Sequence, residues 1–133
     1  MKKIILASIL ALSSHLALAE MTSNSVDPAF AKIESLVKAN DMTGAYQELE
    51  KLAKSGNPQA IYNLGYLTQT GQGTPQNEKK AIELYEASAK KDYPVANYVL
   101  GKSYMAGTLG LKQDTKKAKQ YLEKASNQGF ADA

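Results

Sequence analysis

Three stretches of this chain resemble one another in sequence. Residues 45–60, 81–96 and 118–133 align with offsets of 36 and then 37 residues. The stretches that separate them match as well, and the second holds one extra residue between Gly107 and Asp114. Repetition at this period is typical of supersecondary units that stack and bury their apolar faces between neighbours. The period therefore predicts an array of similar units.

Both halves of each repeat have the spacing of an amphipathic helix. Apolar residues recur every three or four positions, as at Leu64 and Leu67 in a first half and at Ala81 and Leu84 in a second. This spacing places them on one helical face. Proline suits a first helical turn, Asn or Asp suits an N-cap, and a left-handed residue commonly follows a helix. Pro58 and Pro94 fit the first turns of the first helices, and Asn77 and Asp114 fit the N-caps of the second helices. Gly56, Asp92 and Gly129 follow the second helices, where a left-handed residue is expected.

Gly65 and Gly101 occupy the same position within two predicted first helices. Glycine inside a helix costs roughly 0.5–1 kcal/mol relative to alanine. Its presence twice at one repeat position therefore indicates that another helix backbone passes close by.

The combined spacing resembles the Sel1-like repeat. One copy contains Ala60-x-x-x-Leu64-Gly65, Gly71-x-Gly73, Asn77-x-x-x-Ala81 and Leu84-Tyr85-x-x-Ser88-Ala89. The other contains Ala96-x-x-x-Leu100-Gly101-x-x-Tyr104-x-x-Gly107, Asp114-x-x-x-Ala118 and Ala125-Ser126-x-x-Gly129. The first copy departs from the family pattern at Thr68, Asn77 and Asp92. The resemblance implies an all-α fold, a right-handed α/α solenoid of about three helix hairpins whose first helices line a concave surface.

On this basis the chain divides into six segments. They are a signal peptide at 1–19, a flexible lead-in at 20–27, a divergent hairpin similar to a tetratricopeptide repeat at 28–56, Sel1-like repeats at 57–92 and 93–129, and a C-terminal stub at 130–133.

The N-terminus has the three parts of a secretory signal peptide. Lys2 and Lys3 precede an apolar run at residues 4–12, and an Ala-x-Ala motif ends at Ala19. The run is too short to span a bilayer comfortably. We therefore expect cleavage after Ala19 and a location in the periplasm or outside the cell, with no membrane-spanning segment left. An uncleaved N-terminal anchor is the alternative.

The composition excludes several kinds of chemistry. The chain has no cysteine, its sixteen basic residues are all lysine, and its single histidine, His15, lies in the signal peptide. Without thiol or imidazole, the mature chain can form neither a zinc knuckle, nor a metal site built on imidazole, nor a Ser-His-Asp triad. Cleavage leaves fourteen lysines against thirteen acidic residues, a net charge of +1, which argues against nucleic-acid binding. We expect no cofactor and no metal.

Tyrosine is the enriched residue type that bears on binding. Some tyrosines fall on the predicted core rows, but others lie off the Ala-Leu-Gly row of the first helices, where they could line a groove. Tyrosine is a common interface anchor because it joins a large apolar body to a polar tip. The alternative for Tyr62 and Tyr98, which share one repeat position, is packing between neighbouring units. The predicted protein-binding residues are Tyr62, Asn63, Tyr66, Tyr98 and Lys102.

Two Ser-x-x-Lys pairs raise the question of catalysis. Ser35 with Lys38 and Ser88 with Lys91 have the spacing of the nucleophile and base in penicillin-recognising enzymes. Some cysteine-rich proteins that resemble this family are associated with penicillin binding. Neither Ser-Asp-Asn nor Lys-Thr-Gly occurs in the chain, and Ser88 fills a small-residue packing position. We therefore predict that the chain is not an enzyme.

The sequence thus favours an exported protein that binds another protein through its concave surface. The resemblance suggests an immunity protein or an envelope adaptor as the specific form. The alternatives are a β-lactam-type hydrolase and a protein that binds peptides or cell-wall fragments. We also expect a partly uncovered apolar edge around Tyr121, Leu122 and Phe130, where a weak homodimer could form.

Overall fold

The computed structural model describes residues 28–130, which form six α-helices. These are α1 (Ala29–Lys38), α2 (Met42–Lys54), α3 (Pro58–Thr70), α4 (Glu78–Lys90), α5 (Pro94–Ala106) and α6 (Thr115–Asn127). No strand occurs within this range. Each helix packs against the next one along the chain, which gives three stacked hairpins and confirms the predicted all-α solenoid. The predicted signal peptide and lead-in, and the stub beyond Phe130, lie outside the described residues.

The interior consists of two apolar clusters that share α3. One face of α3 contributes Ala60, Leu64 and Leu67 to a cluster with α1 and α2. Another face contributes Tyr62 to a cluster with α4 and α5, which includes Tyr85. Because α3 contributes to both clusters, it joins the first hairpin to the second, as expected of stacked repeats.

Side-chain caps begin most of the helices. Asn77 accepts a hydrogen bond from the Lys80 backbone N–H, and Asp114 accepts one from that of Lys117. Both predicted N-caps are confirmed, and each satisfies a donor that the first helical turn leaves open. Tyr93 precedes α5 without a side-chain cap bond.

The predicted left-handed residues follow the second helices. Gly56 has φ of 93°, Asp92 of 64° and Gly129 of 92°. Asp92 therefore adopts a conformation that disfavours residues with a Cβ.

Gly65 and Gly101 are sites of close packing. The predicted approach of another helix backbone is found at Gly101, whereas the nearest neighbours of Gly65 are side chains. A Cβ on Gly65 would lie 2.8 Å from the Tyr85 ring. A Cβ on Gly101 would lie 2.6 Å from the Leu122 side chain and 3.2 Å from the Ala118 carbonyl oxygen. Side chains of the following helix therefore fill most of the space that glycine leaves.

The loops inside the two Sel1-like units differ in their surroundings. Gly73 has φ of 76°, and a Cβ there would overlap the Met42 carbonyl oxygen at the start of α2. Gly110, in the loop that holds the extra residue, has no atom within 4 Å of the corresponding position. The first loop is therefore packed on the preceding hairpin, whereas the second is open at Gly110.

Candidate functional site

The five predicted binding residues lie on the first helices of the two Sel1-like units. Tyr62, Asn63 and Tyr66 belong to α3, while Tyr98 and Lys102 belong to α5. The repeat offset pairs Tyr62 with Tyr98 and Tyr66 with Lys102. Tyr62 and Tyr66 are four residues apart on α3, and Tyr98 and Lys102 are four residues apart on α5. Each two therefore lie on one face of their helix, at equivalent repeat positions.

Tyr62 packs between units. The residue is 4% exposed, and its ring centroid lies 5.0 Å from that of Tyr85 and 5.6 Å from that of Tyr93. Burial raises the pKa of the Tyr62 phenol above its usual value. These contacts fit the alternative considered for Tyr62, which is packing between neighbouring units and not binding of a partner.

Asn63 is also inside the protein. The residue is fully buried, and among the described residues neither its side-chain nitrogen nor its side-chain oxygen has a hydrogen-bond partner. A buried amide in this state costs free energy. Asn63 therefore offers no exposed surface.

Tyr98, Tyr66 and Lys102 retain access to solvent. Tyr98 is half-buried against Phe130, with ring centroids 4.7 Å apart, which repeats the Tyr62–Tyr93 contact one unit later. Lys102 is exposed, and its Nζ lies 5.9 Å from the Tyr98 ring centroid, within reach of a cation–π interaction. Tyr66 is half-buried and packs against the first core cluster.

The accessible part of the predicted site therefore consists of Tyr66, Tyr98 and Lys102. We call these three residues the first-helix surface. Protein binding by the five residues stays a prediction, and the structure divides them into an inner pair and this outer group.

The serines of the two Ser-x-x-Lys pairs make hydrogen bonds to backbone carbonyls. The buried Ser88 hydroxyl donates to the Pro58 carbonyl oxygen at 2.7 Å and ties α4 to the start of α3. The exposed Ser35 hydroxyl donates to the Ala31 carbonyl oxygen at 3.1 Å within α1. Neither of these two bonds joins a serine to a basic side chain, which is the contact an activated nucleophile requires.

A polar cavity between α4, α5 and α6 was not predicted. Its volume is about 310 Å³, and it is lined by Glu86, Ala89, Lys90, Asn97, Tyr121 and Lys124. Helical periodicity cannot predict such a cavity. It shows only that Asn97 belongs to a mostly apolar helix, and it does not show which residues of α4 and α6 lie opposite Asn97. The available signal was a difference between the two copies, in which Ile61 corresponds to Asn97.

No three His, Cys, Asp or Glu side chains in residues 28–130 come together as metal ligands would. In the same part of the chain, no helix has the length and apolar character that crossing a bilayer requires.

Known proteins share this repeat. The Sel1 repeat family matches residues 58–93 and 94–130. The chain is 29% identical over 85 residues, 64% of its length, to chitin synthase regulatory factor 3 of Schizosaccharomyces pombe. It is 37% identical over 81 residues, 61% of its length, to an uncharacterised protein of Neisseria meningitidis serogroup B. It spans only 9% and 17%, respectively, of the length of these relatives.

A solved structure supports the fold. The crystal structure of a Sel1 repeat protein from Oxalobacter formigenes matches with a TM-score of 0.60 and 22% sequence identity. The match covers 96% of this chain and 90% of that one.

Proposed function

Because this chain belongs to the Sel1 repeat family, whose members generally mediate protein–protein interaction, we propose that it binds another protein through the first-helix surface. The resemblance predicts that this surface is concave. The mechanism is complementarity of shape and hydrogen bonding on a rigid helical array, with no chemical step.

The observation that carries this proposal is the arrangement of Tyr98 and Lys102. The Tyr98 ring is fixed from one side by Phe130, and the ammonium of Lys102 lies near its face. A half-buried aromatic ring held in one orientation loses little conformational entropy on binding, which favours its use as an anchor. Tyr66, at the position equivalent to Lys102, adds a second ring to the same side.

Two observations favour binding over catalysis. The family is generally non-enzymatic, and the Ser88 hydroxyl is buried in a structural hydrogen bond. The curated relative in Schizosaccharomyces pombe is named as a regulatory factor of an enzyme, which is consistent with action through contact with another protein.

Export is the second part of the proposal. The signal-peptide pattern at residues 1–19 supports cleavage after Ala19 and a periplasmic or secreted product. In that compartment, the partner is either a toxin that the protein masks, as an immunity protein does, or an envelope component that it joins as an adaptor. Sequencing of the N-terminus of protein recovered from a periplasmic extract should begin at Glu20; recovery of the intact N-terminus in the membrane fraction would contradict export.

The binding proposal is tested by affinity capture from periplasmic extract. The wild-type protein is compared with the double variant Tyr66→Ala/Lys102→Ala and with Lys116→Ala/Lys119→Ala, which removes two exposed lysines from α6. We expect the first variant to lose the captured partner and the second to retain it. Thermal melting of all three proteins checks that they remain folded.

If all three folded proteins captured the partner equally, the first-helix surface would not be the binding site. A partner that passes this comparison is then purified, and its dissociation constant is measured against the same variants. Truncation of an interface anchor commonly weakens binding by about 2 kcal/mol or more.

We also propose a weak homodimer through Tyr121, Leu122 and Phe130. The three side chains are half-buried, and Tyr121 stacks on Tyr104 with centroids 5.8 Å apart, so each retains some exposed apolar area. Light scattering over a range of concentrations should show an increase in mass; a constant monomer mass at high concentration would contradict it.

A further inference from the structure

One face of α5 presents a cation between two apolar side chains. Tyr98, Lys102 and Met105 follow one another at i, i+4 and i+7, the spacing that places residues on one side of a helix. Tyr98 is half-buried and Lys102 is exposed. Met105, at 38%, is the one large hydrophobic residue that is exposed within residues 28–130. We call these three residues the α5 strip.

The equivalent strip of α3 is already covered by the protein itself. Tyr62 is buried against the Tyr85 ring, and the Tyr85 hydroxyl donates to Gln69 Oε1 at 2.6 Å. In the next unit, Leu122 takes the place of Tyr85 and Met105 takes the place of Gln69. Neither replacement can make that hydrogen bond, so the contact is not repeated on α5. Among the described residues, the α5 strip is therefore the one that stays accessible.

The ammonium of Lys102 selects an anion. It forms no ion pair with any carboxylate of the described residues, and its Nζ lies 5.9 Å from the Tyr98 ring centroid. A lysine ammonium carries three donors and no acceptor. A carboxylate placed beside it makes a charge-assisted hydrogen bond, which is strengthened where neighbouring apolar groups exclude water. Tyr98 and Met105 provide such groups on either side.

The charge of the third hairpin has the same sign. Residues 94–130 contain six lysines against two acidic residues, a net charge of +4, whereas residues 28–93 contain eight of each. Of these six lysines, Lys124 pairs with Asp92 at 3.4 Å. Five have no ion pair within the described range, namely Lys102, Lys112, Lys116, Lys117 and Lys119. A surface of one sign attracts oppositely charged partners and raises their association rate.

We propose that the α5 strip binds an acidic segment of the partner protein, in which a carboxylate side chain lies between apolar or aromatic ones. The carboxylate accepts from Lys102 Nζ, and its neighbours cover Met105 and the accessible part of Tyr98. A methionine thioether suits this role because it is flexible and polarisable. The lysines of α6 attract the segment at long range without contacting it. This inference rests on the proposed binding function and specifies the chemistry of the partner.

The test uses immobilised random copolymers, because they contain acidic and aromatic residues at every spacing. Poly(Glu,Tyr), poly-Glu and poly-Lys are compared by biolayer interferometry with the purified protein at physiological salt. Vesicles of phosphatidylglycerol serve as the membrane probe.

The variants separate contact from net charge. Lys102→Gln and Lys116→Gln remove the same charge from the same hairpin, but only Lys102 belongs to the α5 strip. Met105→Gln introduces the residue type of Gln69 at the equivalent position of α3, so it should preserve the fold. Circular dichroism checks that each variant remains helical.

We expect poly(Glu,Tyr) to bind about threefold or more tightly than poly-Glu, and poly-Lys not to bind. Lys102→Gln and Met105→Gln should each weaken binding to poly(Glu,Tyr) about threefold or more. Lys116→Gln should slow association at low salt and change the dissociation constant by less than about twofold.

Equal weakening by the two lysine variants would overturn the contact, because net charge alone would then explain binding. Equal affinity for poly-Glu and poly(Glu,Tyr) would overturn the apolar part, and this comparison also decides the matter if Met105→Gln does not fold. Tighter binding to the vesicles would favour an anionic membrane instead.

The affinity capture described above keeps the two proposals distinguishable. If a partner is lost in Tyr66→Ala/Lys102→Ala but neither acidic polymer binds, this inference fails and the proposed function stands. If the captured partner is unaffected by that double variant, the proposed function itself fails.

Discussion

Two glycines at one repeat position have different neighbours, and this difference allows a test of packing at the scale of single residues. The Tyr85 ring beside Gly65 is fully buried, whereas Leu122 beside Gly101 is half-buried and can move more easily. Overpacking costs about 1–3 kcal/mol, and alanine returns up to about 1 kcal/mol of helix propensity. We expect Gly65→Ala to lower the free energy of unfolding by about 1–2 kcal/mol and Gly101→Ala to lower it less, as measured by urea denaturation. An equal or larger loss in Gly101→Ala would contradict this account.

Ser88 provides a second test at the residue scale. Ser88→Ala removes a buried hydrogen bond to the Pro58 carbonyl oxygen, so the free energy of unfolding should fall by about 1 kcal/mol. Ser35→Ala, at an exposed position, should change it by no more than about 0.5 kcal/mol. Denaturant unfolding measures both. The same proteins are assayed for nitrocefin hydrolysis, where we expect no turnover; activity in the wild type that either substitution abolishes would favour the hydrolase alternative.

Individual residues also show the limit of inference from sequence. Helical periodicity predicts that Tyr62 and Asn63 lie off the Ala-Leu-Gly row of the first helices. It could not show whether that face meets solvent or the next unit, because a solenoid helix is covered on more than one side. The rings of Tyr85 and Tyr93, which cover Tyr62, belong to the following helix and loop. Their positions depend on the angle between units, which spacing does not encode.

Helix starts are the clearest feature at the scale of elements. Asp114 accepts from the Lys117 backbone N–H at the start of α6. Asp114→Ala should therefore lower the free energy of unfolding by about 1 kcal/mol, whereas Asp114→Asn keeps an accepting oxygen and should cost at most a few tenths. Thermal or urea unfolding distinguishes them. If Asn proved as destabilising as Ala, charge rather than capping would be the cause.

The helices themselves could be predicted because their signals are local. Capping and proline positions act within one turn, and the amphipathic pattern acts within one helix. The start of α5 has the predicted proline but no side-chain cap. Tyr93 precedes Pro94 but supplies no side-chain cap, and its ring instead packs on Tyr62. Tyr93 therefore contributes to packing between units rather than to capping.

For the molecule as a whole, the buried tyrosines predict sensitivity to alkali. Burial raises the pKa of the Tyr93 phenol to about 12 and raises those of Tyr62 and Tyr85 above the usual 10.0. Because the folded-state pKa values exceed the unfolded value, this contribution to stability is complete below about pH 10 and is lost as pH rises through the folded values.

Tyrosinate absorbance and circular dichroism, followed together against pH, measure this effect. We expect exposed tyrosines to ionise near pH 10 and the buried ones to ionise at higher pH as the helices unfold. Tyr62→Phe removes one buried phenol and should make stability less dependent on pH in that range. Ionisation of every tyrosine near pH 10 with the helical signal intact would contradict this prediction.

The open loop at Gly110 makes this protein convenient to label. Since nothing lies within 4 Å of a Cβ placed there, an epitope or a dye-bearing peptide spliced into that loop should project into water and leave the stack intact. The same graft at Gly73 would collide with the start of α2. The chain also lacks cysteine, so a single thiol introduced within such a graft would give a unique attachment point for fluorescence or surface immobilisation.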